Sequence, residues 1–339
     1  MPVAKSHVGA RWIWTLAQIT FQFAGLAEAQ SLEWVKPSLP SIPSARSSSA
    51  IAYDSATHST LLFGGGNGGI SPPVRYNDTW AWQNGWSELF PATSPPAREA
   101  CAMAYDASTR TVMLFGGYGT NDVNLGDTWL WDGVTWTQQF PRVSPPPRAW
   151  DTEGMAYDPA TETIVMFGGS GDSGYLNDTW EWNGKTKTWT ERFPMSSPPP
   201  RHGAPLTYDA ASGTVVLFGG DENVFVLVYG DTWTWDGNNW TQQFPTDTPS
   251  PRTGTALGYD ATRGDVILFG GTAGPPSALS DTWSWNGVNW SQLHTSLTPE
   301  ARWNAAIAFD SYDKGLLLFG GEVTGDPFTN TTWLFISVR

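Results

Sequence analysis

Residues 111–148 read TVMLFGGYGTNDVNLGDTWLWDGVTWTQQFPRVSPPPR, and this stretch decides the fold. A β-branched and apolar run, Thr111-Val112-Met113-Leu114, leads into Phe115-Gly116-Gly117, where paired glycines admit backbone conformations closed to other residues. After a variable loop comes Asp127-Thr128-Trp129-Leu130-Trp131, whose period of two puts both indoles on one face of a strand. Trp136-Thr137-Gln138-Gln139 supplies a further strand, and a Pro-rich segment ends at Arg148. Upstream, residues 98–105 run from Arg98 through small side chains to Tyr105, which suits an inner strand crowded around an axis. One unit therefore holds four short strands.

The unit recurs. Phe-Gly-Gly begins at Phe63, Phe115, Phe167, Phe218, Phe269 and Phe319, at intervals of 52, 52, 51, 51 and 50 residues. Asp-Thr-Trp follows in five copies, ending at Trp80, Trp129, Trp180, Trp233 and Trp283, and the sixth copy reads Thr331-Thr332-Trp333. A period near 50 with four strands per unit predicts an all-β, six-bladed propeller of four-stranded antiparallel blades. The paired glycines and spaced aromatics resemble the kelch-repeat family, particularly its bacterial secreted members and the central domain of galactose oxidase. The ends predict how the ring closes. The sixth unit lacks its fourth strand, while Trp34 precedes Arg46 by 12 residues, the spacing of Trp86 to Arg98 and of every later pair. Residues 31–36 are therefore expected to form the outer strand of the last blade, beside Trp333.

The 339 residues carry a formal charge of −14 and no Lys/Arg run, which argues against nucleic-acid binding. Cys101 is the only cysteine, so no intrachain disulfide forms. Residues 1–29 read as a cleavable signal peptide: Lys5 and Arg11, a moderately apolar stretch, then Ala27-Glu28-Ala29. The expectation is a secreted or periplasmic monomer with one propeller domain over residues 30–339 and no membrane insertion. Asn77, Asn177, Asn239, Asn289 and Asn330 open Asn-x-Ser/Thr sites, at positions the repeat itself accounts for.

Function is sought where the repeat breaks. Trp150 and Trp303 are the two mature-chain tryptophans outside the repeated positions, each just after the Arg that opens a blade. In blade three, nine residues rather than seven separate Arg148 from Tyr157, and the extra length brings Asp151 and Glu153. With Glu99, His202 and Asn304 these form a candidate polar and aromatic patch near the axis. Arg148, Trp150, Arg302, Trp303 and Asn304 are the candidate ligand-binding residues; Asp151, Glu153, Glu99 and His202 are the candidate acids and bases. The alternatives are a bulged strand with solvated acids, and six arginines (Arg46, Arg98, Arg148, Arg201, Arg252, Arg302) that each tie a blade to its neighbour. The apolar loop at residues 221–229 reads as a lid or partner contact, or as a longer strand pair packed on a neighbouring blade.

The reading that follows is a secreted binding module for a glycan or protein ligand at the channel mouth and loop face. The alternative, implied by resemblance to the sialic acid mutarotases among six-bladed kelch proteins, is a metal-free sugar mutarotase or epimerase using channel-mouth carboxylates. No cofactor is expected. Galactose-oxidase-like copper chemistry lacks its Tyr–Cys pair and histidines, since Cys101 reads as a core residue and only His202 lies near the axis. Asp122, Asp172, Glu322 and Asp326 sit in loops, but their spacing matches no calcium loop.

Overall fold

In the computed structural model, residues 31–67, 73–149, 154–223, 225–274, 277–325 and 328–338 are described. The leader, residues 150–153, Val224 and Asp326 lie outside them. Each repeat forms one antiparallel sheet; five of the six are four-stranded, and blade two adds Arg98–Glu99 to its four strands Ala102–Asp106, Thr111–Gly119, Asn124–Trp131 and Trp136–Gln139. The first strands (Ala50–Asp54, Ala102–Asp106, Met155–Asp158, Leu206–Asp209, Ala256–Asp260, Ala306–Asp310) each touch the first strands of both neighbouring blades. That closed cycle of contacts is a six-bladed ring, with strand one innermost.

Closure follows the expected route. Ser31–Val35 pairs antiparallel with Thr332–Val338, Trp34 standing opposite Phe335. Trp34 then repeats what every strand-four tryptophan does. Its ring packs at 5.0 Å on Phe269 of the preceding blade, as Trp136 packs on Phe63 and Trp189 on Phe115. Its Nε1 donates to the preceding blade's strand-three threonine, Thr282, at 3.0 Å, as Trp136 does to Thr79 and Trp240 to Thr179. The blade-to-blade core is thus one Phe–Trp–Thr contact made six times.

The arginines brace each blade from within. Arg98 is fully enclosed; its guanidinium binds both oxygens of Asp127 at 2.6 and 2.8 Å and the Gly116 carbonyl at 2.9 Å. Those partners belong to Arg98's own blade, a correction to the expectation that the side chain ties neighbours. The backbone makes that tie: the Arg98 carbonyl accepts from Gly65 N–H of the preceding blade at 2.9 Å. Gly64 beside it has φ +65°, and a Cβ there would stand 2.6 Å from the Arg98 oxygen. Paired glycines are required by this close approach.

Candidate functional site at the loop face

Strand one begins, and strand two ends, at the same end of each antiparallel blade. The loops after strands two and four therefore open together on one face. Around the axis there, the second residue after each Arg is left-handed: Ser48 at 53°, Ala100 at 55°, Gly203 at 62°, Gly254 at 61° and Asn304 at 52°. Their amides form a chain of hydrogen bonds from Ala100 to Ser48, to Asn304, to Gly254, to Gly203, each 2.8–3.1 Å. This backbone belt spans five blades. The blade-three insertion, with Trp150, Asp151 and Glu153, lies outside the described residues.

Two of the other candidates converge on blade one. Glu99 is 4% exposed, and its Oε1 accepts from Arg75 Nε at 2.9 Å. Arg75 also reaches Asp122 at 3.0 Å and lies over the Tyr118 ring. Asn304 donates to Glu322 Oε1 at 3.3 Å, and Ser47 donates to the same oxygen at 3.2 Å. Burial holds both carboxyls above the usual range, Glu99 against the pull of Arg75. For Glu322 the hydrogen bonds oppose burial, and the charge of Glu99 adds to it. Trp303 is half-buried and pairs in register with Glu322.

His202 sits elsewhere. It stacks on Tyr175 at 5.0 Å, and its Nε2 lies 3.4 Å from Oδ1 of Asp221, which is fully buried. Burial pushes the imidazole below its ordinary value, opposed by the Asp221 charge. Asp221 also accepts from the Phe225 amide at 2.8 Å, bracing a short hairpin of Asp221–Glu222 with Leu227–Val228. The residues 221–229 loop is thus a small strand pair with Val226 exposed at its tip.

Arg148 and Arg302 are both 1% exposed. Arg148 spends its donors on Asp178, Gly168 O and Pro146 O, so the ligand-contact reading of its guanidinium gives way to a structural one. Arg302 faces Thr331 where its equivalents face aspartate, and Glu300 supplies the missing carboxylate at 2.6 Å. Burial lowers its pKa to about 10 despite Glu300. It too is withdrawn from the ligand set. Cys101 is buried, its thiol pushed up to about 12 by burial. Among the described residues no group of three His, Cys, Asp or Glu side chains is placed to hold a metal ion.

Sequence reasoning missed two features of this face. Arg75 is the only basic residue in any loop between strands two and three, a signal that was present. The other is exposed apolar surface. Phe90, Phe140, Phe193 and Phe244, each closing strand four in consecutive blades, are 83–85% exposed. Met195, Val123 and Val226 join them on the same face at 96, 48 and 76%.

Residues 82–246 match the model of the KLHDC2/KLHL20/DRC7 Kelch-repeats domain. An Adagio-like protein 1 of Oryza sativa subsp. japonica is 30% identical over 184 residues, covering 51% of this chain and 28% of that one. An F-box/kelch-repeat protein of Arabidopsis thaliana is 30% identical over 193 residues, covering 48% of this chain and 38% of its own length. The chain thus spans well under half of these relatives. The structure of YjhT superposes with a TM-score of 0.65 at 15% identity, over 89% of this chain and 99% of that one, a likeness of fold. With the sixfold diglycine repeat and the ring it builds, these matches show that the chain carries a kelch-repeat β-propeller domain.

Proposed function

We propose that the chain is a binding module whose loop face recognises a protein surface. The observation that carries this reading is the one-sided distribution of exposed apolar side chains. Among the described residues, most of the large hydrophobics left in solvent lie on the loop face or its rim. Val134, Val288 and Tyr312 lie on the opposite face, and Val35 on the outermost strand. Exposed apolar surface that repeats at one position is not explained by packing, and aromatic anchors dominate protein recognition. The acidic net charge favours a partner with basic flanks. The leader-like N-terminus supports action outside the cytosol.

Protein is preferred over glycan, and binding over sugar catalysis, for one reason. Glu99 is closed over by Arg75 and packs against Gly66, so it does not stand free to accept from hydroxyls or to move a proton. The test replaces Phe90, Phe140, Phe193 and Phe244 with serine together. The melting temperature should hold, because these rings bury little. Proteins retained and photo-crosslinked by the wild-type propeller should be lost. Retention unchanged in the fourfold variant overturns the reading.

A further inference from the structure

The opposite end of the channel holds a second site. Below the backbone belt, the fifth residue after each Arg (seventh in blade three) points into the axis: Ile51, Met103, Met155, Leu206, Leu257 and Ile307. All six are buried at 3–5%. Beneath them is a cavity of about 310 Å³, ringed by Tyr53, Tyr157, Tyr208, Tyr259 and Phe309 at the far ends of the inner strands. Its order along strand one places it beyond the belt, opening away from the loop face. Among the described residues, none that lines it is basic or acidic. The charges just behind the rings are largely negative: each strand-one aromatic is followed by a buried aspartate, Asp54, Asp106, Asp158, Asp209, Asp260 or Asp310.

An apolar well with an aromatic collar and carboxylates behind it suits one chemical class. A neutral apolar guest would gain from the walls alone. A carboxylate would face the aspartates. A cation with a weakly hydrated, alkylated head can leave water cheaply, meet the negative faces of the rings, and feel the carboxylates through a low-dielectric wall. The tyrosines report that field: the Tyr208 hydroxyl is pushed up by burial and then by Asp158 and Asp209, and Tyr259 by burial and then by Asp209 and Asp265. We propose that this channel floor is a binding site for a small organic cation of the quaternary-ammonium type, separate from the protein-binding face.

The test is calorimetric, on the intact propeller, with choline against its neutral carbon isostere 3,3-dimethylbutan-1-ol. Choline should bind saturably, and the isostere at least fivefold more weakly. Tyr208→Leu and Tyr259→Leu, combined and checked for an unaltered melting temperature, should weaken choline at least fivefold. Phe90→Ser on the loop face should leave choline binding as it was, which separates this site from the protein-binding surface. Equal affinity for the isostere, no heat with choline, or undiminished binding in the folded double variant overturns the proposal. Should the double variant fail to fold, the choline-to-isostere ratio in the wild type still decides.

Discussion

Replacing Asp127 with threonine copies into blade two the residue that blade six carries at Thr331, and it isolates what the arginine ring contributes. Arg98 is 0% exposed, and the substitution strips its Nη2 of a partner and leaves Nη1 with the Gly116 carbonyl. Trp129 Nε1, which donates to the same carboxylate at 2.6 Å, is orphaned as well. Removing one member of a buried pair costs ~3–5 kcal/mol, because the remaining charge stays desolvated. Asp127 keeps a fifth of its side chain in solvent, so water relieves part of the loss and the lower end applies, ~3 kcal/mol. For a domain of this size that corresponds to a fall of roughly 5 °C in melting temperature, measurable by scanning calorimetry alongside urea unfolding. Blade six also shows the remedy. Adding Pro96→Glu places a carboxylate where Glu300 serves Arg302, and it should recover about half of the loss. A shift under about 1 kcal/mol for Asp127→Thr, the value of an exposed pair, would refute the claim that these buried arginine–carboxylate pairs brace their own blades.

Trp34→Ala should cost about 3–5 kcal/mol in urea unfolding, since it empties a buried site between Phe269 and Phe335 and frees the closing strand. Gly64→Ala should cost at least about 1–2 kcal/mol from its left-handed backbone alone, before the contact with the Arg98 carbonyl is counted; a neutral result in the same assay would contradict the close blade contact. Glu322→Gln should raise the melting temperature at pH 7. Its folded pKa is raised, so the carboxylate opposes folding above the unfolded value near ~4.3. The gain should therefore shrink as pH falls and vanish below about pH 4, where both states are protonated; a difference independent of pH would contradict the raised pKa.

The fold was legible because one local unit encodes one blade, and each unit states its own strand order through the spacing of Gly-Gly, Asp-Thr-Trp and the next Trp. Closure was legible for the same reason: Trp34 stands 12 residues before Arg46, so a split blade announces itself as a displaced piece of the repeat. The polar cluster was half legible. Glu99 and Asn304 were singled out as departures from their repeat positions, yet what each binds, Arg75 and Glu322, comes from two different loops. His202 shares the repeat position of Glu99, but a buried aspartate and a tyrosine from adjacent loops draw it to another wall.

Two features escape a search confined to the breaks in the repeat. A residue found in most copies was taken as architectural, and for the arginines that holds: each is enclosed, and in blade six the loss of its aspartate is offset by Glu300. Phe90, Phe140, Phe193 and Phe244 are also repeated, yet they stand in solvent. The physical difference lies in position rather than residue type. The strand-four Trp faces the preceding blade, and four residues on the chain has run past the end of the sheet, where no neighbouring blade remains to cover a side chain. The channel floor escaped for the converse reason. Met103 or Leu257 reads in its own blade as an ordinary core residue, and only the convergence of six such residues on one axis leaves a space between them. Repetition thus marks what every blade needs, while burial separates the part that holds the ring from the part offered to a partner.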